Sequence, residues 1–158
     1  MIAWRRSGMD DPDRLSLWNL HLQEDEGAEV MAFVAIRERM RRWLAGVCHS
    51  VVFTESGRDV GYAIYRYRAT DPDPQGEGGV YLRRFFVDRT CRGRGVGRGM
   101  IRLFTEEIIR GRSILLKAYE SNPGGQAFWR ALGFEPYYVG FQRRAIAYCA
   151  RRVDGDGS

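Results

Sequence analysis

Lysine is almost missing from this chain: Lys117 is the only one among 25 basic residues, and the rest are arginine. The formal net charge is +5, and arginine suits phosphate and nucleic-acid contacts. The arginines are nevertheless scattered along the whole sequence, with no basic stripe interleaved with aromatics. That distribution argues against a nucleic-acid binder and for a source genome that favours arginine codons. Cysteine is scarce too. Cys48, Cys91 and Cys149 are widely spaced, odd in number and without metal-ligand spacing. A disulfide framework and a metal site are therefore not expected, and a reduced cytoplasm is. The two histidines, His21 and His49, each stand alone and read as structural or exposed. Long apolar runs are absent. The longest obvious one, Met31 to Ile36, falls far short of the roughly 20 residues that span a bilayer. The opening MIAWRRSGMDD contains no apolar signal segment, so no secretory leader is expected. Internal repeats and an interdomain linker are also missing.

What is present suits one packed domain. The 158 residues are 44% hydrophobic and 13% aromatic, enough to bury a substantial core. A single domain over 1–150 with a flexible tail over 151–158 is expected. Asp10 to Leu22 reads as a first helix, with Asp11 capping and Pro12 in the first turn. Val30 to Leu44 reads as a second, carrying Phe33, Ile36, Met40 and Leu44 near helical spacing. Ser50 to Thr54 and Val60 to Tyr67 are β-rich and flank a hairpin loop, Glu55 to Asp59. Thr70 to Gly79 is a polar loop, and Glu135 to Tyr148 a final strand.

The run Val80 to Gly99, VYLRRFFVDRTCRGRGVGRG, is the most informative stretch. It reads as a strand, a turn, and a glycine-rich loop opening into a helix to Ile109, with Met100, Phe104 and Ile108 as its buried face. Amides at such a helix start have no intrahelical partners and sit at the positive end of the macrodipole, which suits a phosphate or pyrophosphate. A P-loop is excluded, because no Lys-Ser or Lys-Thr follows the glycines. The dinucleotide fingerprint fails as well: its last glycine would fall on Arg98 or Met100. What fits is Arg92-x-x-Gly95-x-Gly97. Downstream, strand-like SILLKAYE precedes NPGGQAFWRALGF, where Asn122 suits a helix cap, Pro123 the first helical position and Gly133 the residue past the helix end.

These two motifs, in this order, resemble the GCN5-related N-acetyltransferase (GNAT) superfamily over about residues 50 to 144. The resemblance implies an α/β fold: a mixed, mostly antiparallel central sheet with helices on both faces, in which two parallel strands splay apart. Those strands are Tyr81 to Asp88 and Ser113 to Tyr119. Acetyl-CoA, the acetyl donor, is expected in the gap, with no metal. The main chains of Phe85 and Val87 would pair with pantetheine, beside Phe86. Arg92, Gly93, Arg94, Gly95, Val96, Gly97 and Arg98 would hold the pyrophosphate, and Asn122, Phe128 and Trp129 would line the other side. Bland roles compete: Phe85, Phe86 and Phe128 as core side chains, Asn122 as a cap alone, Arg98 as one half of a surface ion pair. Gly95 and Gly97 carry the sharpest claim, since two glycines opening a helix cost stability without evident structural gain.

The implied chemistry is acyl transfer by direct attack of a primary amine in a ternary complex. An amine with a pKa near 10 is only about 0.1% neutral at pH 7, so a group must take its proton. Many relatives place a tyrosine seven residues after the Asn as the acid for the departing thiol. Here that position is Trp129, which cannot donate a proton in that role. The acid is then Tyr119, Tyr137, Tyr138 or water. Glu120, at the strand end beside Asn122, is the first choice of base. The acceptor wall commonly lies between the first two helices, here QEDEGAE, with Glu24, Asp25, Glu26 and Glu29. An anionic wall favours a small cationic amine (a polyamine or aminoglycoside) or a protein amine. A solvated helix connection would look the same. The rival to an enzyme is an acyl-CoA sensor that keeps the phosphate loop but lacks acid and base. A cytoplasmic location and a homodimer paired through exposed strands complete the expectations.

Overall fold

The computed structural model describes residues 1–7, 11–27, 30–46, 48–68, 78–140 and 146–151, with side chains described only as far as residue 136. Seven strands, β1 (Ile2–Arg6), β2 (His49–Glu55), β3 (Arg58–Arg68), β4 (Gly79–Val87), β5 (Ile114–Tyr119), β6 (Glu135–Gly140) and β7 (Ile146–Arg151), form one sheet in the order β1-β2-β3-β4-β5-β7-β6. Among the described residues four α-helices, α1 (Asp11–Glu26), α2 (Phe33–Ala45), α3 (Val96–Leu103) and α4 (Pro123–Ala131), cover its faces. All neighbouring strands run antiparallel except β4 and β5. The expected mixed, mostly antiparallel sheet is therefore present.

Strand alternation sorts side chains into two cores. Val51, Phe53, Ala63, Tyr65, Val80 and Leu82 pack with Val96, Met100 and Trp129 under α3 and α4. Val52, Tyr62, Ile64 and Phe86 pack with Leu15, Trp18 and Met40 under α1 and α2. Each fully buried Leu, Ile or Phe contributes about 1.5–3 kcal/mol relative to exposure. Gly61 lets α3 lie close: a Cβ there would sit 2.2 Å from the Phe86 carbonyl oxygen and 2.6 Å from the Met100 methyl carbon.

Several expectations need correction. The first helix runs on to Glu26 rather than ending at Leu22, so Glu24, Asp25 and Glu26 are helical and only a short connection precedes α2. Ile2–Arg6 forms an edge strand that the sequence pattern does not announce, because only Ile2 and Trp4 turn inward. The hairpin loop shrinks to Ser56 and Gly57, both at positive φ, as in a two-residue turn. The final segment is two antiparallel strands, not one. The helix after the glycine loop widens into a π-turn at Phe104–Ile108, where the Ile109 amide reaches the Phe104 carbonyl at 2.9 Å. The extra residue per turn rotates Ile109 inward to 1% exposure, the place that uniform helical spacing assigns to Ile108. Glu29, most of the Thr70 to Gly79 loop, the side chains of Tyr137, Tyr138 and Cys149, and residues 152–158 of the tail lie outside the described residues.

Candidate active site

The site begins where the sheet fails. Parallel pairing of β4 with β5 covers Val80–Ile114, Tyr81–Leu115 and Leu82–Leu116, then stops, although β4 continues to Val87 and β5 to Tyr119. Opposite this break, Ile64 pairs with Arg84 and Tyr65 with Leu82, leaving Arg83 as an extra residue on β4. Such a bulge bends a strand and shifts its facing pattern. Accordingly Leu82 and Phe85, three apart instead of two, both turn toward the α3–α4 core, while Phe86 joins the other. A cleft of about 630 Å³ opens between the separated strands.

One end of the cleft is built for an anion. Gly93 and Gly95 sit at φ +80° and +79°, where an L side chain is strained, and the space around their α-carbons is open. Gly95 precedes α3, whose N-terminus carries no side-chain cap and no acidic residue in its first turn. Uncapped amides opening on free space suit a pyrophosphate. Gly97 has a different reason from the one expected: a Cβ there would meet the Phe128 ring at 3.0 Å and Val87 at 3.1 Å. Its structural gain is close packing of α3 against β4 and α4. Arg92 and Arg98 line the cleft. Arg94 instead pairs with Glu55 at 3.3 Å and is not among the lining residues.

The middle of the cleft is aromatic. Phe85 and Phe128 are half-buried and stack at 6.0 Å, and Trp129 packs edge-on against each, at 5.3 and 4.9 Å. All three line the cleft, so Phe85 and Phe128 serve the core and the cavity together. Asn122 is a cap: its Oδ1 accepts from the Gly125 amide at 3.0 Å, with Pro123 at the helix start. It also lines the cleft. Phe86 is 2% exposed, and the Arg92 guanidinium lies 5.0 Å above its ring. Arg92 Nε donates to the Val87 carbonyl at 3.0 Å, occupying one of the strand groups expected to serve pantetheine.

The other end is where α1 meets β5. The Ser121 hydroxyl donates to the Glu26 carbonyl, joining the end of α1 to the β5–α4 turn across the cleft. Glu24 and Asp25 do not stand open to an acceptor. Arg89 binds them at 3.1 and 3.2 Å, and Arg92 binds Asp25 at 2.7 Å. Glu26 lines the cleft half-buried. Burial pushes its carboxyl above the usual range; Arg84 and Arg39 pull against that rise and Asp25 adds to it. Tyr119 lines the cleft as well, its carbonyl receiving Gln126 Nε2 at 2.9 Å. Glu120, expected as the base, is exposed and is not a lining residue. His21 and His49 also lie outside the lining; His21 packs on Phe86 and His49 on Tyr65 and Tyr67. Glu26 as a titrating group escaped the sequence because its raised carboxyl depends on burial by the helix extension.

The parallel strands that part beside a glycine-opened helix match the arrangement that the sequence resemblance implies. The model of the acetyltransferase (GNAT) domain matches residues 46–136, and the chain belongs to that family. Members transfer an acetyl group from acetyl-CoA to an amine. N-alpha-acetyltransferase RimI of Mycobacterium tuberculosis is 33% identical over 117 residues, 70% of this chain and 69% of its own. The spermine/spermidine N(1)-acetyltransferase of Bacillus subtilis strain 168 is 24% identical over 131 residues, 79% and 83%. Among solved structures, aminoglycoside acetyltransferase AAC(6')-Ib in complex with coenzyme A superposes with a TM-score of 0.72 at 18% identity, covering 96% of this chain and 95% of that one. No groups of three or more potential metal ligands gather among the described residues, and no helix there is long and apolar enough to cross a membrane.

Proposed function

We propose that this acetyltransferase moves the acetyl group of acetyl-CoA to a primary amine by direct attack in a ternary complex. The observation that carries the reading is the open wedge between β4 and β5 ending on an uncapped, glycine-opened helix. The donor would lie with its diphosphate against Gly93 to Arg98 and its pantetheine beside Phe85, Phe128 and Trp129. Bound there, the donor supplies an activated thioester carbonyl, whose developing oxyanion suits a strand amide near Val87.

Glu26 rather than Glu120 is the base in this reading. A carboxylate raised toward the working pH accepts a proton more effectively than an ordinary one. Glu26 faces the cleft, while Glu120 faces solvent. Tyr119 is the one acid candidate with a described side chain in the cleft. Two relatives, one named a spermine/spermidine N(1)-acetyltransferase and the other an N-alpha-acetyltransferase, support an amine nucleophile. Buried free thiols at Cys48 and Cys91 fit a reducing cytoplasm. Pairing through the exposed edge strands as a homodimer remains part of the proposal.

A panel of amines incubated with acetyl-CoA, read as free thiol release, tests this. Acceptor-dependent thiol release that weakens in Glu26→Gln is expected. Tight acetyl-CoA binding without transfer to any amine would overturn the reading and leave an acyl-CoA sensor in its place.

A further inference from the structure

The acceptor end carries a concentration of positive charge that the anionic-wall expectation does not anticipate. Three guanidinium groups surround one indole: Arg39, Arg83 and Arg84 lie 4.8, 5.0 and 5.0 Å from the ring of Trp43. Around the neighbouring Tyr81 ring stand Arg66 at 5.4 Å, Arg83 again at 5.6 Å and Lys117 at 6.0 Å. These residues come from α2, β3, β4 and β5, and Arg83, Arg84 and Lys117 line the cleft itself. Arg83, two residues after Tyr81, shares its face by ordinary strand alternation, and the bulge brings Arg84 to the same α2 side, against Trp43.

Among the described residues, pairing within the protein leaves donors of Arg39, Arg66 and Arg83 unmatched. Arg84 is held by the buried Asn19, whose Oδ1 accepts from its Nε at 2.9 Å, and by the Arg83 carbonyl at 2.8 Å. Among the described residues, Arg39 Nε and Nη2, Arg66 Nε and Arg83 Nε are buried without a hydrogen-bond partner. Buried unpaired donors destabilise the fold, more so when charged, and like charges add to that. Burial and the nearby Arg84 hold the Arg39 guanidinium below its usual range. Cation–π contact with Trp43 and Tyr81 offsets only part of that cost. The carboxylates lining the cleft are Asp25, already bound by Arg89 and Arg92, and Glu26, whose single charge lies in the field of both Arg84 and Arg39 and leaves Arg83 unmatched.

We infer that the acceptor amine also carries an oxyanion, a carboxylate or phosphate, which seats against the cleft-lining Arg83 and Arg84, with Arg39 behind the lining on the same Trp43 ring adding its charge. Guanidinium forks bind such groups bidentately and satisfy several donors at once. The amine end then faces Glu26, the only lining carboxylate without a described ion pair. A fully cationic polyamine would place its second charge against this cluster and be repelled. This inference rests on the amine-transfer reading above and narrows its substrate class.

Pairs of amines differing only in the oxyanion test it: β-alanine against propylamine, and O-phosphoethanolamine against ethanolamine, with spermidine as the fully cationic probe. The anionic member should exceed its partner and spermidine by about tenfold or more in kcat/KM, as expected when a buried charge pair is gained. Arg39→Gln and Arg83→Gln, each checked for a cooperative thermal melt, should bring that ratio toward one. Calorimetry on protein saturated with coenzyme A reads the same order without turnover. Preferential binding of the anionic amines there supports the inference even where transfer fails, and such a failure counts against the proposed activity alone. Equal binding within each pair, tighter binding of spermidine, or a preference unchanged in both arginine variants overturns it. The stronger of the two pairs tells carboxylate from phosphate.

Discussion

The two ends of the cleft are made in opposite ways. At the donor end, a few consecutive residues supply everything: the backbone from Gly93 to Arg98 turns through two left-handed glycines into an uncapped helix. Its positive character comes from the backbone and from the cleft-lining Arg98, since Arg92 and Arg94 are already engaged by Asp25 and Glu55. At the acceptor end the charge lies on side chains from four elements, gathered around Trp43 and Tyr81. A donor common to a family needs only a fixed cradle; an acceptor pocket can be recomposed one side chain at a time.

The largest expected effect falls at the acceptor end. Glu26→Gln should lower kcat by about 10²-fold or more, the usual loss for a general base. The wild-type rate should rise with pH as Glu26 ionises, through a midpoint above the ordinary carboxylate value of 4.5, and the variant should lose that limb. Stability moves the other way. A carboxyl raised by folding binds protons more tightly in the native state, so ionising it weakens the fold as pH climbs past the unfolded value. Glu26→Gln should therefore melt higher than wild type at neutral pH. A lower melting temperature would show that Arg84 and Arg39 outweigh burial.

The donor end answers to backbone changes. Gly95→Val should raise the acetyl-CoA dissociation constant about tenfold or more, while costing about 1–2 kcal/mol for the left-handed conformation. Titration calorimetry and denaturant unfolding separate the two. Gly97→Val breaks the symmetry between these glycines. Its first carbon already crowds Phe128 and Val87, so it should lose about 1–3 kcal/mol of stability by overpacking. Chemical denaturation would reveal whether stability falls.

The smallest effect tests the acidic turns of α1. Glu24→Gln with Asp25→Asn should change stability by under about 1 kcal/mol, because exposed ion pairs contribute little. The acceptor Michaelis constant should shift less than about twofold, because Arg89 and Arg92 already match those charges. A large rise would restore the anionic wall as the acceptor determinant.

The cap at Asn122, the glycines at 95 and 133, and the strand before the loop were legible because each is a local requirement: a side-chain oxygen for an orphan amide, or a residue free to adopt positive φ. The family resemblance rode on the same short segments. Glu120 lies outside the cleft lining for the complementary reason. Nearness to Asn122 along the chain says nothing about which way a side chain turns at a strand end. Edge strand β1 was hidden because two inward residues make too short a pattern, and the π-turn because only packing decides where a helix takes an extra residue.

By itself the sequence determined the class of fold and marked the glycine-opened helix start proposed for the donor, because turn chemistry and helix starts are written in neighbouring residues. Tertiary structure alone decided the charge of the acceptor end. Which acids are already matched by Arg89 and Arg92, and which arginines are buried together, depends on contacts between residues dozens of positions apart, and electrostatics follows distance in space, not order along the chain.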